Sequence, residues 1–228
     1  MPNEIFGQGA YTVSQAAKLI SVSYQRLRRW FQGYSYVHKR KRVNALSVWR
    51  GDWAGTKQEG LLTFRDMIEA RFIIELRARG ISWKSIRVAA DQAREALGTN
   101  HPFSSQKIGT LDKRIFARVP DPKGGESLFD LVTKCYALDG ILNKYIRDLE
   151  YSEADEVIRW YPLHDRNKVV LDPKRQFGQP IVAKEGVQTA VLYAAYQAEN
   201  SVERVAAWYD VSRASVQSAI DFEESIAA

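Results

Sequence analysis

The stretch Tyr11-Thr12-Val13-Ser14-Gln15-Ala16-Ala17-Lys18-Leu19-Ile20-Ser21-Val22-Ser23-Tyr24-Gln25-Arg26-Leu27-Arg28-Arg29-Trp30-Phe31 sets the architecture of the N-terminal part of this 228-residue chain. It opens on residues whose side-chain oxygens cap helices, and Val13, Ala16, Ala17 and Ile20 then recur at helical spacing. Ser21-Val22-Ser23 interrupts that pattern, and Ser23 caps a second helix running through Phe31. Two short helices separated by three residues make a helix-turn-helix. At 100° per residue, Leu27, Trp30 and Phe31 share one arc, which faces the core. The opposite arc carries Gln25 and Arg29, flanked by Arg26 and Arg28, with Ser23 and Tyr24 at the helix start. One amide and three guanidiniums form a surface suited to a major groove: Gln pairs with adenine, and Arg grips guanine or holds phosphate.

Working outward, Tyr36-Val37-His38-Lys39-Arg40-Lys41-Arg42-Val43 reads as a short basic ribbon, a wing placed to touch phosphates or the minor groove through Lys39, Arg40, Lys41 and Arg42. The charge supports this. Residues 1–58 hold ten Lys/Arg against Glu4 and Asp52, so a chain of formal charge +6 has +8 at one end and −2 over the remainder. From Tyr196 onward the balance reverses, with Glu199, Glu203, Asp210, Asp221, Glu223 and Glu224 against Arg204 and Arg213. One end suits a polyanion and the other repels it.

In the middle, Thr63-Phe64-Arg65-Asp66 is a capping pattern that opens a helix to Arg79, closed by Gly80. Ser82 caps a second helix through Leu97, stopped by Gly98, and the two make a helical hairpin for packing or dimerisation. Arg114–Val119 alternates as a strand and ends in the turn Pro120-Asp121-Pro122-Lys123-Gly124-Gly125. A helix is expected from Ser127 to Leu149. Further strands are expected at 157–163, 169–171 and 179–182, the last at an edge or strand start because of Pro180, together giving a small sheet.

The acidic end reads as a helix from Val187 to Glu199, a second from Val202 to Tyr209 capped by Asn200 or Ser201, with Glu203 set to bond back to Asn200, and a third from Arg213 to Glu224. Its shape is again a helix-turn-helix, but its six acids would face a phosphate backbone. Trp208, Tyr209, Val211, Val216 and Ile220 are core-type residues. A unit this small buries little by itself, so pairing with another chain is expected.

No catalytic constellation stands out. His38, His101 and His164 are far apart and lack metal-ligand spacing; His101 and His164 sit in loops as structural or solvated residues. The single Cys135 excludes an intrachain disulfide or Cys-pair metal site and reads as a buried small hydrophobe. Gly124-Gly125 lacks the following Lys-Ser/Thr of a phosphate loop. No apolar run approaches the roughly 20 residues that cross a bilayer, and the start Met1-Pro2-Asn3-Glu4 lacks a signal-peptide pattern. The expectation is a cytoplasmic, non-enzymatic protein with no cofactor and no metal. It is mainly α with a small β component, divided into residues 1–60, 61–165 and 166–228.

Two resemblances sharpen this reading. Tyr11-Thr12-Val13-Ser14-Gln15-Ala16-Ala17-Lys18-Leu19, then Val22-Ser23, then Leu27-Arg28-Arg29-Trp30, resembles the MerR-type winged helix-turn-helix over about the first 60 residues, with a longer and more basic wing. Val170-Leu171-Asp172-Pro173, Gly178-Gln179-Pro180-Ile181-Val182, Ser201–Ala206 and Val211-Ser212 resemble a domain of VapB-like antitoxins partnered by PIN-like ribonuclease toxins, over about 167–224. This chain has Lys184-Glu185-Gly186 where that family has Gly-Thr-Arg. The resemblances imply an antitoxin of a type II toxin–antitoxin system that binds its toxin directly and represses its own operon as a homodimer or toxin–antitoxin hetero-oligomer. Lys174, Arg175, Trp208 and Tyr209 are then the candidate toxin contacts. The alternative is a MerR-like regulator whose C-terminal region binds a small ligand or dimerises.

Overall fold

Hydroxyl caps start each of the N-terminal helices. The computed structural model describes residues 7–45, 47–49, 51–105, 107–111, 114–120, 126–134, 136–137 and 148–227. Strand β1 (Tyr11–Thr12) leads into α1 (Val13–Leu19), where Thr12 and Gln15 form a reciprocal capping box. Ser23 accepts from the Arg26 amide and opens α2 (Tyr24–Gln32). Leu27 and Trp30 are buried on its inner face, and Phe31 packs on Trp49 with ring centroids 5.9 Å apart. Strands β2 (Tyr34–His38) and β3 (Lys41–Ala45) form an antiparallel hairpin with His38 opposite Lys41. Its two-residue loop, Lys39-Arg40, has positive φ at both positions, the backbone that matches the twist of a tight hairpin. Strand β4 (Leu61–Leu62) returns to pair with β1.

Helix α3 (Phe64–Ala78) starts at a Thr63–Asp66 capping box, and α4 (Trp83–Leu97) runs from the Ser82 cap to a left-handed Gly98. Four strands follow, β5 (Ile108–Leu111), β6 (Arg114–Pro120), β7 (Glu126–Asp130) and β8 (Tyr136–Ala137), antiparallel in chain order. This corrects the helix expected from Ser127. Residues 126–130 pair with β6 from Pro120↔Glu126 to Phe116↔Asp130, and these non-local partners override the local pattern. Asp130 then turns the chain by accepting from the Val132 and Thr133 amides. Residues 121–125, Cys135 and 138–147 lie outside the described residues.

The single small sheet expected from 114 to 182 is divided. Strand β9 (Leu149–Tyr151) pairs with β10 (Val157–Trp160), and β11 (Val169–Val170) with β12 (Ile181–Val182). A Trp160–Leu171 bridge links these two pairs, and Pro180 stands immediately before β12, as expected of a strand start. Helices α5 (Thr189–Glu199), α6 (Val202–Tyr209) and α7 (Arg213–Ala227) complete the chain. Ser201 caps α6 by accepting from the Arg204 amide, while left-handed Asn200 closes α5, so the expected Glu203–Asn200 capping arrangement gives way to a Ser201 cap. Among the described residues the fold is therefore seven α-helices with small antiparallel sheets.

One buried cluster runs from Tyr11, Ala16 and Leu27 through Leu62, Ile68 and Leu76 to Ile115, Trp160, Leu171 and Phe222. A second, made by Leu192, Val205, Val216 and Ala219, lies within the C-terminal helices. The two ends of the chain meet directly. Tyr11 Oη donates to the Gly178 carbonyl at 2.5 Å, the Ala10 amide donates to the Phe177 carbonyl at 3.2 Å, and Lys18 Nζ lies 3.8 Å from Glu223. Gly178 (φ +81) is required here, because a Cβ would meet Tyr11 Oη at 2.4 Å.

Thr63 combines a helix cap with hydroxyl contacts to Asp52 and Asp66 at 2.8 and 3.1 Å. Thr63→Ala is therefore expected to lower unfolding free energy by about 2 kcal/mol, read as an earlier urea midpoint at unchanged slope.

Candidate functional site

A groove of about 970 Å³ runs between α2 and the β2–β3 hairpin. Because Leu27 and Trp30 hold the inner face, α2 presents Tyr24, Gln25, Arg28, Arg29 and Gln32 to it. The hairpin contributes Tyr34, Ser35, Arg42 and Asn44. Several of these side chains are held in place: Arg28 Nε donates to Gln32 Oε1 at 3.0 Å, and Ser35 Oγ donates to Asn44 Oδ1 at 2.7 Å across the strands. The Arg29 guanidinium lies 5.4 Å from the Tyr34 ring centroid, and the Tyr34 and Tyr36 rings are 5.7 Å apart. No carboxylate occurs among the described residues lining this groove. It can hold an anionic backbone through three guanidiniums while offering amides and phenols to hydrogen-bonding edges.

Of the residues expected to bind DNA, the groove gathers Tyr24, Gln25, Arg28, Arg29 and Arg42. Ser23 serves as the cap of α2, and Arg26 is exposed beside that cap. Lys39, Arg40 and Lys41 are exposed at the hairpin tip, outside the groove walls. Sequence reasoning missed Gln32, Tyr34, Ser35 and Asn44. The cross-strand register, Ser35 opposite Asn44, is what brings the last two together.

Behind the groove lies a buried charged cluster. Asp66 has no exposed surface and accepts four hydrogen bonds: Trp49 Nε1 at 2.9 Å, the Thr63 amide at 3.0 Å, Thr63 Oγ1 at 3.1 Å and His101 Nε2 at 2.9 Å. His101 Nδ1 lies 3.6 Å from Asp52. The loop histidine expected to be structural or solvated is thus a buried ion-pair partner. Burial alone would lower its pKa, but the Asp66 hydrogen bond and the charges of Glu69, Asp66 and Asp52 carry it above the ordinary 6.5. Asp52, Asp66 and His101 place donor atoms within 4.8 Å of one another, a grouping that chain spacing did not suggest. In this structure those atoms serve one another. Nearby, Glu69 accepts from the Phe103 and Ser104 amides at 3.2 and 2.9 Å. Burial raises its pKa to about 7 against the opposing pull of His101, these amides and Arg94.

The four candidate toxin contacts lie in two pairs on separate segments. Lys174 and Arg175 are exposed after β11; the Lys174 amide donates to Asp172 at 2.9 Å, and the Arg175 guanidinium lies over Gly186. Trp208 and Tyr209 end α6 and are 64% and 39% exposed, which corrects their reading as core. Val216 and Ile220 are buried as expected. His164 is exposed, with Nδ1 3.6 Å from Asp148. No helix among the described residues is long and apolar enough to cross a membrane.

Comparison with known proteins places these features in context. Residues 169–222, about a quarter of the chain, match a family described as a protein of unknown function, DUF433. Over 227 residues the chain is 26% identical to the Mycobacterium tuberculosis protein named "Putative antitoxin VapB45", covering 92% of each. The fold is similar to the crystal structure of Rv2018 from Mycobacterium tuberculosis, with a TM-score of 0.58 at 20% identity, covering 95% of this chain and 99% of that one. The fold similarity therefore extends over nearly the whole chain.

Glu69 and His101 both bind protons more tightly in the folded chain than in the unfolded one. Their stabilisation is present below the unfolded values and lost as pH rises through the folded ones, from 4.5 to about 7 for Glu69 and above 6.5 for His101. Glu69→Gln keeps one acceptor oxygen, leaves the second amide without its partner at every pH, and removes one ionisation, so the pH dependence and not the absolute stability is the readout. Relative to wild type it should gain stability with rising pH, by at most about 1.4 kcal/mol per pH unit, measured by urea unfolding from about pH 5 to about pH 8.

Proposed function

We propose that this chain is the antitoxin of a type II toxin–antitoxin system, binding a PIN-like ribonuclease toxin directly and repressing its own operon. The observation that carries this reading is similarity along nearly the whole chain to a protein named as an antitoxin, spanning the basic groove and the acidic C-terminal helices together. In this reading residues 1–60 act as a winged helix-turn-helix of MerR type: α2 enters the major groove, and Lys39, Arg40, Lys41 and Arg42 on the hairpin follow the phosphates. A dimer of such modules reads half-sites one helical turn, or a multiple of it, apart. Residues 166–228 engage the toxin. The chain works in the cytoplasm and carries out no chemistry of its own.

A second reading, a ligand-responsive MerR-like regulator, draws on a cavity of about 620 Å³ where the parts of the chain meet, lined by Trp53, Arg65, Arg159, Asp172 and Lys174 among others. Thermal stabilisation by a small molecule with no protein partner present would favour it.

Because residues 166–228 share a core with the N-terminal helices through Val169, Leu171 and Phe222, point substitutions test the DNA function more cleanly than truncation. Arg28→Ala with Arg29→Ala should weaken binding to the DNA upstream of the chain's own gene by at least about thirtyfold, at about 1–3 kcal/mol per lost contact. Fluorescence anisotropy at fixed salt reads the change, and unaltered affinity would overturn the assignment of the α2 face.

A further inference from the structure

The α6–α7 pair has the shape of a nucleic-acid reader and the wrong surface for one. Ser215, Val216, Ala219, Ile220 and Phe222 of α7 are buried, and the outward positions Arg213, Gln217, Asp221 and Glu224 sum to a negative stripe. From Tyr196 to Ala228 the chain holds six acidic side chains and two arginines, a net charge of −4. Both arginines are engaged locally, Arg204 with Glu199 at 3.4 Å and Arg213 with Glu203 at 3.7 Å. Glu223 is buried and accepts from Thr189 Oγ1 at 2.6 Å. Asp210, Asp221 and Glu224 are left at the surface without a cation in these pairings. Beside Asp210, Trp208 is 64% exposed and Tyr209 39%, although Val205 and Ala206 of the same helix are buried.

An exposed indole and phenol beside Asp210, on a helix pair of net negative charge, have the composition of an interface centre, where Trp and Tyr supply most of the binding energy and charges on the same face of the protein steer encounter. Charge selects the occupant. A phosphate backbone or an anionic bilayer is repelled, and so is the same face of a second copy. We propose that Trp208 and Tyr209 anchor a protein partner through a basic surface, with Asp210, Asp221 and Glu224 steering its approach. This rests on the antitoxin reading, in which that partner is the toxin. It gives the main contact to α6 and not to Lys174 and Arg175.

The test uses the full chain and the ribonuclease encoded beside its gene, with association and dissociation followed by biolayer interferometry. Trp208→Ala should weaken the complex by at least about thirtyfold, mainly through faster dissociation. The triple variant Asp210→Asn, Asp221→Asn, Glu224→Gln should slow association and flatten its salt dependence while leaving dissociation near wild type. Unchanged DNA binding in the same variants reports an intact fold. Affinity unaffected by Trp208→Ala overturns the proposal, as does loss on Lys174→Ala with Arg175→Ala instead, or a Trp208→Ala effect confined to self-association of this chain. Failure of the wild-type chain itself to bind the ribonuclease removes the antitoxin reading and this contact with it, and is seen before any substitution is made.

Discussion

Asp66 is a carboxylate without solvent, and the arrangement of the N-terminal half depends on how it is satisfied. A buried charge is tolerated only where hydrogen bonds and counter-charge replace its water. Asp66 obtains them from Trp49 after the hairpin, Thr63 at the start of α3, and His101 in the loop leading to the central sheet. Each donor belongs to a different segment, so one side chain fixes where the hairpin leaves, where α3 begins and where the sheet is attached. Removing any donor would leave a lone pair facing protein, whereas a surface ion pair such as Arg65–Glu156 could be lost at little cost.

The groove is tied to this cluster through packing. Trp49, bonded to Asp66, is also the ring on which Phe31 of α2 packs. The exposed arc of α2 is therefore referenced to a buried carboxylate through two aromatic rings. At the other end, Tyr11 reaches Gly178, and Lys18 on α1 faces Glu223 on α7. Basic and acidic modules touch through α1 and α7, the helices that lie behind their outward faces. A partner seated on α6 and a nucleic acid seated on α2 would thus bear on neighbouring elements of one packed body.

Much of this was legible because helix ends are local. Thr63 with Asp66, Ser82 with Gly98, and Ser23 each place a boundary through bonds spanning three or four residues, and those helices begin where the sequence indicates. The strand at Glu126–Asp130 departs from the helix its local pattern suggests because its partners lie on β6, and no local pattern announces them. His101 has the structural one of its two expected roles, but its partner Asp66 is 35 residues away and no local pattern names it. Trp208 is a different case. Residue type marked it as core, yet the period of α6, with Val202, Val205 and Ala206 turned toward the C-terminal core, leaves position 208 outside. Spacing was the better guide, and composition hid it.

The one departure from the antitoxin-like pattern has a physical account. Glu185, within Lys184-Glu185-Gly186, accepts from the Ser212 amide at 3.1 Å and from Ser215 Oγ at 2.7 Å, at the N-terminal end of α7. Burial would raise its pKa, but the Ser215 and Ser212 hydrogen bonds hold it below the usual carboxylate value, so it stays charged where a helix favours negative charge. The family's threonine at this position would bring no carboxylate to the Ser212 amide and the Ser215 hydroxyl. The next residue, Gly186, leaves room for the Arg175 guanidinium, which a Cβ would meet at 2.5 Å. Glu185 thus fastens the start of α7. The exposed aromatic end of α6 stands outside the core of the C-terminal helices, as does Val191 on α5.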